Sequence, residues 1–203
     1  MLAHYMAVYD EGAYAQEILN GDIHTTNQKA AGLPTRNDAK TFIYAFLYGA
    51  GDGKIGQIVG GGRQAGAHLK KEFLTKLPAL GQLIEQVTAE ATRYKSVTLP
   101  DGRRVPVRSE HAALNTLLQG AGAIVSKYWM VVAHRNLTKA FGENVVKQVA
   151  YVHDEMQYSC PKGIAEEAGE IVIKSAIEAG ERLGINMIIE AEYNIGANWS
   201  ETH

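Results

Sequence analysis

The stretch TRNDAKTFIYAFLYG, Thr35 to Gly49, decides the fold class. Thr35 and Asp38 stand three apart directly after Pro34, which is the spacing of a capping box at a helix start. The apolar run Thr41–Tyr48 follows, and despite its β-branched and aromatic content the cap predicts a helix over Thr35–Tyr48. On such a helix Arg36, Lys40, Tyr44 and Tyr48 recur every four residues, about 6 Å apart in rise along one slowly winding face. Two cations at the capped end, with the positive pole of the helix behind them, suit an anion. A guanidinium forks onto phosphate oxygens, while an ammonium offers a mobile point charge or a proton. Two aromatics further along suit stacking on a base or sugar. The competing reading is an ordinary amphipathic helix with a solvated basic end and a buried aromatic end.

Downstream, Gly51-Asp52-Gly53-Lys54-Ile55-Gly56 matches the glycine pattern of dinucleotide loops. That reading, a nucleotide-cofactor oxidoreductase, requires a strand at Tyr44–Tyr48 and an acid about 20 residues on. The capping box argues against the strand, and Gly53-Lys54 is followed by Ile55, which excludes a Walker A loop. The plain alternative is a flexible glycine-dense break, Gly49 to Gly62, between helices. Residues 63–94 read as helical with an interruption near Pro78. Residues 93–108 hold five basic side chains and one acid around the turn signal Pro100-Asp101-Gly102, a basic hairpin or loop. Ser109–Phe141 reads as a long helix on which Asn115 and Gln119 stand four apart. They suit either the edges of a nucleic acid or a neighbouring helix. Val146–Val152 and Met156–Ser159 alternate as strands around His153-Asp154-Glu155. Two adjacent carboxylates at a turn suit a Mg²⁺ ion or a solvated tip. Ile164–Leu183 reads as an amphipathic helix and Asn186–Tyr193 as a last strand. Upstream, Leu2–Asn20 is helical with a turn at Glu11-Gly12, and Asn20–Thr26 runs from a turn into a capped helix start.

Composition narrows the class further. The 203 residues carry 20 Lys and Arg against 22 Asp and Glu, which excludes a polybasic binder. The balance is uneven, however: residues 161–203 hold eight Glu and three basic side chains, leaving residues 1–160 net positive. A single cysteine, Cys160, excludes a disulfide framework and a cysteine zinc site. The longest apolar stretch is broken by Lys127, so no membrane span is expected. The N-terminal residues form no secretory signal, so a cytoplasmic, soluble chain is expected.

Taken together, these motifs resemble those of the family A DNA polymerases. Arg36, Lys40, Tyr44 and Tyr48-Gly49 look like the family's motif B, and Val152-His153-Asp154-Glu155 looks like its motif C. Between them, His111 to Gln119 resembles a long palm helix. Gly21-Asp22-Ile23-His24-Thr25 is similar to the segment before motif B, and Asn198-Trp199 to His203 to the family's closing residues. The stretch Leu19–Val59 looks like the T7-like phage branch. The resemblance implies an α+β fold: mainly helical fingers on an incomplete palm with a small antiparallel sheet. The divisions are 1–12, a palm-derived helix; 13–108, fingers; and 109–203, the C-terminal half of the palm. It also implies roles. His24, Arg36, Lys40 and Tyr44 would bind the incoming dNTP, with Lys40 able to protonate pyrophosphate. Tyr48, Asn115, Gln119, His153, Arg103 and Arg104 would contact primer-template DNA, with His111 standing where other members carry Arg. Asp154 would bind the two Mg²⁺ ions, with Glu155 as a secondary carboxylate. The family's motif A, with its metal-binding aspartate, would lie just upstream of Met1. An upstream polymerase fragment supplying motif A and the thumb is therefore expected. The alternative is a truncated fragment that binds nucleotide or DNA without catalysis.

Overall fold

The computed structural model describes residues 1–202; His203, the closing residue of the family-like C-terminus, lies outside them. The chain divides into two units, Met1–Gly120 and a second from Ala121 onward.

In the first unit, α1 (Leu2–Asp10) and α2 (Ala13–Asn20) meet at the expected Glu11-Gly12 turn. The Asp10 carboxylate accepts the backbone N–H groups of Gly12 and Tyr14, each at 3.0 Å, and so ties down the start of α2. Helix α3 (Ile23–Ala31) is capped by Asp22, and α4 (Arg36–Leu47) by Thr35. The N-cap half of the predicted capping box forms, while Asp38 reaches back to the Thr35 hydroxyl rather than to its backbone N–H. Thr35 Oγ1 accepts from Asp38 N–H at 3.0 Å and donates to the Asp38 carboxylate at 2.6 Å. Ala39, Phe42 and Ile43 turn inward, and Phe42, fully buried, meets Phe73 edge-on at 5.0 Å.

The glycine-dense segment is not the flexible break expected of it. It contains a short helix, α5 (Asp52–Ile58), packed against α6 (Arg63–Lys76). The glycines permit the close approach. A Cβ on Gly66 would lie 1.9 Å from the Asp52 carbonyl oxygen, and one on Gly56 2.0 Å from that of Gly62. Lys70 clasps the same corner, donating to the Ala50 carbonyl at 2.7 Å and pairing with Asp52 at 2.9 Å. Gly66→Ala is therefore expected to destabilise the chain by about 1–3 kcal/mol, as overpacking does. Gly81→Ala, on α7 with open space around it, should instead stabilise by about 0.5–1 kcal/mol. Urea denaturation midpoints of the two variants check the opposite signs.

Helix α7 (Pro78–Tyr94) starts with its proline at the first helical position and buries Leu80, Leu83, Val87 and Ala91. The basic segment is the expected hairpin, β1 (Ser96–Thr98) paired antiparallel with β2 (Arg104–Pro106). A 3₁₀ turn (Glu110–Ala112) leads into the 29-residue α8 (Ala113–Phe141), whose first two turns belong to this unit.

The second unit holds the rest of α8 with β3 (Lys147–Val152), β4 (Glu155–Ser159) and α9 (Ala165–Arg182). Trp129 Nε1 donates to the Val172 carbonyl at 2.7 Å, joining α8 to α9. Asn136, Arg135 and Arg182 converge on Glu178 and hold its carboxyl below the usual range. The strand expected at Asn186–Tyr193 does not form. The alternation is real, with Ile189 and Tyr193 packing at Gly180 and Gly169 of α9. Among the described residues, however, no strand lies alongside to share a ladder, and the sheet stays two-stranded. No helix among the described residues is long and apolar enough to cross a membrane.

Candidate nucleotide and nucleic-acid site

Helix α4 turns one face to the core and the other to solvent, and the residues of the four-residue repeat lie on the solvent side. Arg36, Lys40, Tyr44 and Tyr48 are all exposed, the tyrosines at 47% and 58%. The aromatic end is thus not buried, as an ordinary amphipathic helix would have it. Lys40, Tyr44 and Tyr48 make no side-chain hydrogen bond or ion pair among the described residues. From Arg36 to Tyr44 the helix rises about 12 Å, which matches the reach of a nucleotide from its phosphates to its sugar and base.

The start of α3 lies beside the start of α4, and Asp22 links them. Its carboxylate accepts Arg36 Nε at 2.8 Å and Nη2 at 3.1 Å, and also caps α3 through the backbone N–H groups of His24 and Thr25. With Thr25 Oγ1 added at 2.8 Å, five donors saturate one carboxylate. Arg36, first among these, holds the Asp22 carboxyl well below its ordinary range, and Asp22 in turn raises Arg36. His24 sits in the first turn of α3, and its Nδ1 is buried with no hydrogen-bond partner among the described residues.

Beyond Tyr48, Gly49 adopts φ of 76°, and a Cβ there would lie 2.9 Å from the His111 carbonyl oxygen. The end of α4 therefore rests directly on the 3₁₀ turn that opens α8. Asn115 and Gln119 follow within the first two turns of α8, the first half-buried and the second exposed. On the basic hairpin, Arg103 is held by Asp101 at 2.7 Å. Arg104 lies over the exposed Tyr94 ring at 4.4 Å, and Arg93 over the same ring at 4.9 Å.

The remaining candidates lie in the second unit. Val152 pairs with Glu155, so the turn is the two residues His153-Asp154, and Glu155 opens β4 rather than standing in the turn as expected. His153 takes φ of 56°, an uncommon conformation for a residue with a side chain, and one that a tight two-residue hairpin turn demands. Asp154 is exposed, whereas the half-buried Glu155 accepts from the Gln157 amide. No group of three or more His, Cys, Asp or Glu side chains able to hold a metal occurs among the described residues. An exposed carboxylate nonetheless fits Mg²⁺, which takes one or two carboxylates and completes its shell with phosphate and water.

The oxidoreductase reading is overturned. Thr41–Leu47 is helical, and the glycine pattern encloses the seven-residue α5 packed on α6 rather than a strand-to-helix loop. Asp22 and Tyr94 went unread as site neighbours, because Asp22 lies fourteen residues from Arg36 and Tyr94 ten from Arg104. No periodic pattern links such pairs.

The DNA polymerase family A profile matches residues 9–201. The chain is 46% identical over 224 aligned residues to the DNA-directed DNA polymerase of Enterobacteria phage T3, and equally to that of Escherichia phage T7. In each case the alignment covers 100% of this chain and 31% of the relative, so the chain spans about a third of their length. A similar fold occurs in the solved POL domain of Pol1 from M. smegmatis, in complex with DNA primer-template and dNTP. The TM-score is 0.75 at 20% identity, over 88% of this chain and 35% of that one. With a profile running from the end of α1 to the last described turn, the chain belongs to DNA polymerase family A.

Proposed function

We propose that this chain forms the fingers (13–108) and the C-terminal half of the palm (109–203), preceded by a palm helix (1–12), of a template-directed DNA polymerase. The observation that carries the reading is the solvent face of α4. Two cations and two aromatics stand in line there, with about half of each tyrosine left open to solvent among the described residues.

His24, Arg36 and Lys40 hold the triphosphate of a dNTP, and Tyr44 lies against its sugar and base. Phosphoryl transfer needs chiefly positioning and charge stabilisation, which these groups supply. The primer 3′-oxygen attacks the α-phosphorus, its proton leaving to solvent. The bond to the bridging oxygen breaks, and the Lys40 ammonium gives a proton to the departing pyrophosphate. Tyr48 stacks at the templating position. Asn115 and Gln119 probe the minor groove, where every base pair offers similarly placed acceptors, so pair shape is checked without reading sequence. Arg104, with Arg103, meets backbone phosphates, and His153 the primer terminus. Asp154 is one carboxylate ligand for Mg²⁺, with Glu155 beside it. When bound, paired Mg²⁺ ions neutralise charge on the attacking and leaving oxygens. The partner carboxylate and the thumb would be supplied by polymerase sequence other than these residues. The setting is the cytoplasm of a phage-infected cell.

The test is primer extension with Mg²⁺ and four dNTPs. The chain alone is expected to be inactive, and addition of an upstream fragment ending in motif A should restore extension. Templated extension by the rigorously pure chain alone would refute the need for a second carboxylate source. Failure of every upstream fragment to restore it would favour a catalytically silent binding fragment.

A further inference from the structure

We infer that Asp22 is a positioning residue of the proposed nucleotide site, a buttress that presets the Arg36 guanidinium for a triphosphate; this rests on the function proposed above. A guanidinium has five N–H donors in a rigid fork. Asp22 takes the side edge, Nε and one Nη2 hydrogen, at 2.8 and 3.1 Å. The end edge, with one Nη1 hydrogen and the second Nη2 hydrogen, has no partner among the described residues and can fork onto two phosphate oxygens without releasing Asp22.

Stability does not account for this pair. Arg36 and Asp22 side chains are 56% and 44% exposed, and exposed ion pairs add little to folding. Geometry accounts for it better. The same carboxylate caps α3 beneath His24 and grips the first residue of α4, so one node fixes two phosphate-facing side chains relative to each other. A free arginine must give up its rotamers on binding, whereas one already held gives up fewer. The opposite possibility is that Asp22 competes with the triphosphate for Arg36 and so weakens binding.

The experiment measures dATP binding to the full chain by titration calorimetry, for wild type, Asp22→Ser, Arg36→Ala and the double variant. Serine keeps the helix cap while removing the partner of Arg36, and circular dichroism confirms an unchanged fold. Asp22→Ser is expected to weaken binding by about five- to tenfold in the Arg36 background and to have no effect once Arg36 is alanine, the coupling of residues in one network. Unchanged or tighter binding by Asp22→Ser overturns the inference. So does an equal loss in both backgrounds, which would assign the effect to the cap and His24. If Arg36→Ala itself leaves dATP binding unchanged, the nucleotide-site reading fails and takes this inference with it.

Discussion

Primer extension by a complete polymerase that contains these residues is expected to fall about a thousandfold or more on Asp154→Ala. A carboxylate that holds Mg²⁺ contributes several kcal/mol of charge stabilisation in the transition state, and each 1.36 kcal/mol is about tenfold in rate. Asp154 stands exposed at a two-residue turn, whereas its neighbour Glu155 opens β4, is half-buried and accepts from Gln157, so Glu155 is expected to replace it poorly. Affinity for primer-template should change little, because in the proposed function basic side chains, Arg103 and Arg104 among them, meet the backbone phosphates and Asp154 does not. Gel-shift titration beside single-turnover extension separates the two. Activity that ignores the substitution would remove Asp154 from the metal site.

Tyr44→Phe should leave normal nucleotides nearly unaffected and should discriminate against dideoxynucleotides about tenfold or more. In the proposed pose the Tyr44 hydroxyl lies near the 3′ side of the sugar and the triphosphate. A normal dNTP brings a 3′-hydroxyl that serves the phosphate oxygens, and a dideoxynucleotide does not. Tyrosine supplies the missing donor, and phenylalanine leaves a charged oxygen without one. Such a bond is worth about 1.5–3 kcal/mol, which is ten- to hundredfold or slightly more. The exposed, unpartnered Tyr44 hydroxyl is free to act so. Competition between a dideoxynucleotide and its normal counterpart in single-nucleotide extension measures the ratio. Equal ratios for the two enzymes would place Tyr44 outside the nucleotide site.

Much of this was legible because it is local. The helix cap at Thr35, the turn signal at Pro100-Asp101-Gly102 and the interruption at Pro78 each act within a few residues, and each lies where the pattern put it. The four-residue repeat on α4 was legible as one face, but whether its aromatic end is buried or exposed was not, and the exposure of Tyr44 and Tyr48 is a finding of the structure. What escaped depends on distant neighbours. Helix α5 has seven residues, two of them glycine, too short and too flexible to hold by propensity; α6 holds it. Asn186–Tyr193 has the alternation of a strand, but a strand exists only through the one beside it, which no period reveals. Asp22 was legible as a helix cap and not as the partner of Arg36, since capping is a matter of three residues and the ion pair one of fourteen.

Gly49 changes how a mutational scan of this surface should be interpreted. The Tyr48 end of α4 and the turn that leads to Asn115 approach backbone against backbone, at a φ of 76° and with no room for a methyl group. The atoms nearest to Gly49 at this approach are backbone atoms of His111, so truncating the His111 side chain to alanine would leave the approach in place. Adding a methyl at Gly49 would instead displace Tyr48 relative to Asn115, and the resulting defect would mimic the loss of a DNA-contacting group that never existed there.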